Sequence, residues 1–309
     1  MNILFLFLDG VGLGANDPNI NPLVRAEMPN LRALLGGNPL IAARAPLETE
    51  RATLVALDAS LGVEGLPQSA TGQAVLLTGV NIPQEIGEHY GPKPNPAVAS
   101  YLTNGDTLFS WLRANSKTAA LLNAYPPRYF HGIDSGKRLY SSVPLALTSA
   151  GFPLFTKDDL YAGRALSADF TGEGWRTMLG FTDAPTFSPR EAGRMTAELA
   201  LQYDFAFFEY WASDYAGHKQ DMDAACSLLA SFDGMLGGLL DAWDDARGLI
   251  LLTSDHGNIE DLSTRRHTDA KVPGLVIGSK AAREKFVDGL TDLTGIAPAI
   301  KKIINLQSA

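Results

Sequence analysis

Ile3-Leu4-Phe5-Leu6-Phe7-Leu8-Asp9 decides the fold. Six apolar residues without alternation, closed by an acid, read as a strand buried on both faces. Strands of that kind belong to parallel sheets covered by helices on both sides. The run lacks a basic flank and is short for a signal peptide, so it reads as structure rather than as a targeting segment. Runs of the same character recur at residues 119–122, 205–208, 249–252 and 272–277. Helical periods lie between them, at 28–35, 108–114, 190–201 and, most clearly, 221–243. There Ala225, Leu228, Leu229, Phe232, Leu236, Leu239, Leu240 and Trp243 keep the i, i+3, i+4 spacing. Strands alternating with helices predict an α/β three-layer sandwich around a mostly parallel sheet. Ligands of such sheets gather at the carboxyl ends of strands, where Asp9, Asp214 and Asp255 each follow an apolar run.

Residues 126–189 break the pattern, with six prolines and weak periodicity. They read as a small inserted cap, leaving 1–125 and 190–309 as the core. Residues 82–99 hold four prolines and read as a long loop edging the site.

Composition narrows the function classes. The chain has 309 residues, 46% of them hydrophobic, which suits one large domain with an insertion. Its net charge of −9 argues against a nucleic-acid surface, and no basic run suggests one. No segment reads as a membrane span. The single cysteine, Cys226, cannot form an internal disulfide, so a reducing, cytoplasmic setting is expected.

Three of the five histidines stand close to the acids that follow the strands. Asp214-Tyr-Ala-Gly-His218 places a carboxylate and an imidazole four residues apart. Asp255-His256 are adjacent after a strand, with Gly257 free to turn, and His267 follows eleven residues later. Each has a bland reading: a helix cap at Asp214, a surface His218, a hydrogen-bonded polar residue at a loop base. The bland reading would have to hold at every position at once. Mixed oxygen and nitrogen donors suit two divalent ions such as Mn²⁺ or Zn²⁺, and a paired site of that kind clamps a phosphoryl group. A dinucleotide loop at Gly10-Val-Gly12-Leu-Gly14 is rejected, because Ala15 breaks the glycine spacing and Asp9 would repel a pyrophosphate.

These motifs resemble the alkaline phosphatase superfamily, and within it the metalloenzyme branch of cofactor-independent phosphoglycerate mutase and phosphopentomutase. Phe7-Leu8-Asp9-Gly10-Val11-Gly12 resembles the first metal motif, and Pro29-Asn30-Leu31 the segment that follows it. Asp214 to Asp221 is similar to the mutase motif. Thr253 to Asn258, His267-Thr268, Val272-Pro273 and Leu293 to Pro298 resemble the closing motifs. The resemblance implies one ion on Asp214, His218 and His267 and another on Asp9, Asp255 and His256, joined by Ser69. By its register ten residues before Gly79, Ser69 is the implied nucleophile, with Thr71 as runner-up. Gln73 stands where the mutases carry a His. Basic residues in the cap, with Lys137 and Arg138 as candidates, would meet a small phosphorylated substrate.

A short cap and the change at Gln73 favour hydrolysis of a phosphate monoester or diester through a phosphoserine. A phosphosugar or phosphoglycerate mutase is the alternative, and a non-catalytic metal-binding scaffold is a reading from another class. A sulfatase is disfavoured because the rest of that signature is missing.

Overall fold

The computed structural model describes residues 1–305. Its strands are β1 (Asn2–Leu8), β2 (Leu47–Glu48), β3 (Ala52–Leu57), β4 (Ala119–Leu121), β5 (Ala124–Tyr125), β6 (Phe155–Thr156), β7 (Phe205–Tyr210), β8 (Gly248–Thr253) and β9 (Val272–Ile277). Seven form one sheet in the order β2-β3-β9-β8-β1-β7-β4, and β5 pairs with β6 apart from it. β8, β1, β7 and β4 are parallel neighbours, so three of the strands that precede candidate ligands end at one edge. β9 runs antiparallel to β8, and β3 antiparallel to β9. No helix separates β8 from β9, and the chain therefore returns in the opposite direction.

β1 shows why the run at 3–8 lacks alternation. Ile3, Phe5 and Phe7 face one core, and Leu4, Leu6 and Leu8 face the other. Burying each such side chain contributes roughly 1.5–3 kcal/mol. The first core lies under the helices Ser69–Thr78, Leu108–Ala114 and Ile296–Asn305. The second lies under Pro189–Ala200 and Met222–Ala242.

The helical expectations at 28–35, 190–201 and 221–243 appear as Pro29–Leu34, Pro189–Ala200 and Met222–Ala242, and 108–114 as Leu108–Ala114. Asp221 caps the longest helix by accepting from the Ala224 N–H at 3.0 Å. Pro29-Asn30-Leu31 has a structural role: the Asp233 carboxylate of the long helix accepts from the Asn30 and Leu31 N–H groups at 3.0 and 2.7 Å. Met222–Ala242 is long and apolar enough to cross a membrane by length and composition, contrary to expectation, but half of that stretch is buried inside the protein.

Residues 82–99 are not one loop. The helix Ile82–Ile86 and the start of Pro96–Thr103 lie within them. Pro83 and Pro96 occupy first-turn positions, where a missing N–H costs nothing. The stretch 126–189 also divides. Ser142–Ser149 sends Val143, Ala146 and Leu147 into the main core. Leu160, Ala165, Trp175 and Ala184 form a small cluster of their own with Ala124.

Candidate metal centre

The ends of β1, β7 and β8 build the centre. Asp9 directly follows β1, and its carbonyl accepts from Ser213 Oγ at 2.6 Å, which ties it to the helix Ala212–Lys219. Within that helix Asp214 and His218 share a face, as i, i+4 residues do. Asp255 and His256 follow β8. Ser254 Oγ accepts from the Val11 N–H at 2.9 Å and donates to the His256 carbonyl at 3.0 Å, locking the two strand ends together. His267 comes in on the loop to β9, held by a bridge between Gly257 and Thr268.

Glu260 braces that loop. Its carboxylate accepts from the N–H groups of Gly12 and Asn258, both at 2.8 Å, and from the Thr268 hydroxyl. A Cβ at Gly12 would stand 2.4 Å from the same carboxylate and would push it out of these hydrogen bonds. Asn258 Nδ2 in turn donates to Asp214 Oδ1 at 2.6 Å. Glu260 escaped the sequence reading, although it lies two residues beyond the quoted Asp-His-Gly-Asn stretch.

The three imidazoles are oriented alike. Nδ1 faces a backbone carbonyl in each: Arg265 O for His218 at 2.7 Å, Pro67 O for His267 at 2.8 Å, and Gly257 O for His256 at 3.3 Å. A carbonyl only accepts, so Nδ1 carries the proton and Nε2 keeps a lone pair. Those lone pairs point at carboxylates. His218 Nε2 is 3.2 Å from Asp214 Oδ2, His267 Nε2 is 3.6 Å from Asp214 Oδ1, and His256 Nε2 is 3.3 Å from Asp9 Oδ1. One ligand atom each from Asp214, His218 and His267 lies within 4.8 Å of the others, and the same holds for Asp9, Asp214 and His256. Asp255 stands beside the second set, with Oδ2 at 3.7 Å from His256 Nε2.

This donor set fits divalent cations. Asp9 Oδ1 is buried without a hydrogen-bond partner and faces an imidazole lone pair. Burial first, and then the charges of Asp255 and Asp214, hold the Asp9 carboxyl well above the usual range. Burial and Asp214 raise Asp255 to about 7. Burial and the neighbouring His267 lower His256 to about 3, so its ring stays neutral. Clustered carboxylates that resist ionising, opposite neutral imidazoles, are relieved by positive charge between them.

Ser69 opens the helix Ser69–Thr78, and the preceding cap residue is Gln68. Its hydroxyl therefore does not cap the helix. It lies 3.1 Å from His256 Nε2. Thr71 is used structurally: its hydroxyl donates to the Gln68 carbonyl and accepts from the Tyr90 N–H at 3.1 and 3.2 Å. Gln73 Nε2 donates to Asp255 Oδ2 at 3.2 Å. A Cβ at Gly72 would come within 2.8 Å of the Asp255 carbonyl, so the glycine lets this helix reach the strand ends.

A cleft of about 590 Å³ opens over Asp9, Ser69, Gln73 and Asp214. Arg138 lines it and stacks its guanidinium 4.7 Å from the Tyr129 ring centroid. Lys137 is not among its lining residues: it is exposed on the bend after the helix Pro127–Asp134. Arg128, one of the basic residues of the cap, and Lys93, which sequence reasoning did not single out, supply the other cations of the cleft. Lys93 Nζ is held by the Leu139 carbonyl at 2.9 Å. Glu209, near the end of β7, also lines the cleft, and burial followed by the Asp255 charge raises it to about 7.

A family model described as the Metalloenzyme superfamily matches residues 176–308. The 2,3-bisphosphoglycerate-independent phosphoglycerate mutase of Moorella thermoacetica is 27% identical over 133 residues, covering 41% of this chain and 26% of that protein. The enzyme of the same name from Yersinia pestis (strain Pestoides F) is 31% identical over 113 residues, or 34% of this chain and 21% of that protein. The match thus spans about a quarter of the length of these relatives.

Among solved structures, the PH0037 protein from Pyrococcus horikoshii aligns over 98% of this chain and 96% of its own, with TM-score 0.57 and 17% identity. Alkaline phosphatase from the Antarctic bacterium TAB5 covers 98% and 97%, with TM-score 0.52 and 14% identity. The phosphoglycerate mutase of Leishmania mexicana covers 98% and 95%, with TM-score 0.51 and 12% identity. Likeness at such identities speaks to the fold. The whole chain thus has an alkaline-phosphatase-like fold, and its residues 176–308, which carry the Asp214, His218, Asp255, His256 and His267 motifs, match the Metalloenzyme superfamily.

Proposed function

We propose that the protein is a metal-dependent phosphoryl-transfer enzyme acting on small phosphate esters, with Ser69 as the group that receives the phosphoryl. The observation that carries this reading is the Ser69 hydroxyl. It caps nothing, is buried, and sits 3.1 Å from His256 Nε2 at the floor of a cleft that also exposes Asp9 and Asp214. Asp214, His218 and His267 would hold one divalent ion, and Asp9, Asp255 and His256 the other. Such ions, Mn²⁺ or Zn²⁺ by their donors, would polarise phosphoryl oxygens and favour the charged form of a nearby hydroxyl.

Ser69 Oγ forms the new bond to phosphorus as the ester oxygen departs in line. The proton lost from Ser69 balances the proton gained by the leaving alcohol. The first backbone N–H groups of the Ser69–Thr78 helix favour phosphate oxygens at that point. Lys93, Arg128 and Arg138 draw an anionic ester toward the cleft. Water then cleaves the phosphoserine, giving inorganic phosphate. The preference for hydrolysis rests on the small cap and on Gln73 bonding Asp255 where the mutases carry a His. Mutase chemistry is the second reading, favoured by three cations in one cleft that could retain a dephosphorylated anionic product. A cytoplasmic site of action with a small-molecule partner belongs to the same proposal.

The test is mass spectrometry of Mn²⁺-loaded protein quenched during turnover of a phosphate ester. Phosphate on Ser69, and none in Ser69→Ala, is the expected result. Phosphate on Thr71 refutes the register, and an active enzyme without an adduct refutes the serine route. Labelled water then separates the reactions: a hydrolase places label in free phosphate, and a mutase returns the phosphoryl group to substrate.

A further inference from the structure

Glu260 connects the chain segments that carry the ion ligands. Its Oε2 accepts from the Gly12 N–H, just beyond Asp9, and from the Asn258 N–H, just beyond His256, each at 2.8 Å. Its Oε1 accepts from the hydroxyl of Thr268, the neighbour of His267. Asn258 carries the connection to the fourth segment, because its Nδ2 donates to Asp214 twice, to Oδ1 at 2.6 Å and to the carbonyl at 3.1 Å. The Glu260 side chain is 1% exposed, and these hydrogen bonds come from neutral donors. A buried carboxylate is costly unless its oxygens are satisfied in this way.

The chain around it is shaped to receive the carboxylate. A Cβ at Gly12 would stand 2.4 Å from Oε1, and one at Gly257 would stand 2.3 Å from it. One glycine follows β1 and the other follows β8, so both strand ends leave room for the same group. The two ion sets depend on this brace unequally. Asp9, Asp255 and His256 closely follow β1 and β8, whose pairing fixes their backbone. Asp214 Oδ1 is oriented by Asn258. His267 stands on the loop between β8 and β9, next to exposed Arg265 and Arg266. That loop is held by the bridge from Thr268 to Gly257 and by the Thr268 hydroxyl on Glu260.

We propose that Glu260 is a positioning residue that holds Asp214 and His267 in the geometry of one ion site, through Asn258 and Thr268, while the site of Asp9, Asp255 and His256 forms without it. This deepens the proposed function and rests on its metal-dependent reading of the centre. Groups that orient metal ligands from behind govern metal affinity by about 10- to 100-fold.

Metal binding tests this without turnover. Elemental analysis after desalting, with Mn²⁺ titration against a chelating indicator, would compare wild type with variants. Wild type is expected to hold two ions. Glu260→Leu should hold one, the affinity for the other falling by about 10- to 100-fold. Glu260→Leu combined with His218→Ala should still hold one, because both changes act on the same site. Loss of both ions in that double variant, or in Glu260→Leu alone, overturns the proposal. Glu260→Gln should keep both ions, since its carbonyl oxygen can accept from Gly12 and Asn258 while its amide donates to Thr268 Oγ1. A Gln variant that matches the Leu variant would assign the effect to charge rather than to hydrogen bonding, and overturns the proposal as well. Thr268→Val removes the Oε1 arm alone and serves if the Leu variant does not fold. It should weaken one ion by about tenfold and spare the other; unchanged affinity for both overturns the assignment. Wild type without divalent ions would overturn the metal reading and Glu260 with it. Absence of phosphoserine with this pattern of ion loss preserved would overturn the serine route and leave the Glu260 assignment standing.

Discussion

Asp214 is the residue on which the centre turns. Its Oδ2 faces His218 and its Oδ1 faces His267, and it also stands within ligand distance of Asp9 and His256. Removing it should disturb both ion positions, whereas removing His218, at the exposed rim, should disturb one. Asp214→Ala is thus expected to lose most bound metal after desalting, and His218→Ala about half, by elemental analysis. Equal losses would show that Asp214 does not bridge the two sets. Glu209 offers a separate test through pH. Its carboxyl titrates near 7 when folded, against an ordinary value of 4.5. Below pH 4.5 it is neutral in both states and imposes no penalty. Between 4.5 and 7 the unfolded chain ionises first, so the stability of the chelated protein falls as pH rises and levels off above 7. A gap of roughly 2.5 pH units corresponds to on the order of 3 kcal/mol at most. Glu209→Gln should therefore gain stability relative to wild type at pH 8 but not at pH 4, measured by urea unfolding in chelator. A difference that does not change with pH would place Glu209 in a solvated environment.

At the scale of elements, the close crossing of Pro189–Ala200 and Met222–Ala242 depends on two glycines. A Cβ at Gly193 would come 1.9 Å from the Met235 carbonyl, and one at Gly238 would come 2.0 Å from the Arg190 carbonyl. Both obstacles are backbone, which cannot swing aside. Alanine would gain about 1 kcal/mol of helix propensity, but overpacking at a rigid contact costs about 1–3 kcal/mol and wins. Gly193→Ala is expected to lower the denaturant midpoint while the folded fraction keeps its metal. Unchanged stability would mean that the helices separate freely. The strands were the legible elements. An acid after an apolar run is a local signal, and it located β1 and β8 together with Asp9 and Asp255. Glu209 obeys the same rule in Phe205-Ala-Phe-Phe-Glu209, but Asp214 drew attention beyond it. The direction of β9 was not legible, because a strand buried on both faces reads the same either way. The prolines of 82–99 misled for a physical reason: they start helices as readily as they break them. Ser142–Ser149 was read into the cap because its membership in the main core is set by partners distant in sequence, including the Ser69–Thr78 helix.

Taken as a whole molecule, the protein is an acidic body with a small cationic mouth. The net charge is −9, and two divalent ions would leave it negative. An anionic ester is repelled at long range and attracted only once it nears Lys93, Arg128 and Arg138. Lys93 already shows the crowding of that mouth, since burial and then the Arg138 charge lower its ammonium from the ordinary value. The two effects differ in reach. Screening extends over about 30 Å at 0.01 M salt and about 8 Å at 0.15 M. Added salt should therefore remove the distant repulsion before it weakens contacts made within the cleft. The expected outcome is that kcat/KM for an anionic phosphate ester holds or rises modestly between about 0.01 and 0.15 M salt. The double substitution Lys93→Glu and Arg138→Glu should raise KM severalfold with a smaller change in kcat, because it strips attraction from the mouth and leaves Ser69 and the ion ligands in place. It should also make the rise with salt steeper, since repulsion would then extend to the cleft itself. Stopped-flow or initial-rate measurements across that salt range decide the matter. A steep fall with salt in wild type, abolished by the double substitution, would show that the mouth steers substrate from a distance and that the acidic body has no part in the approach.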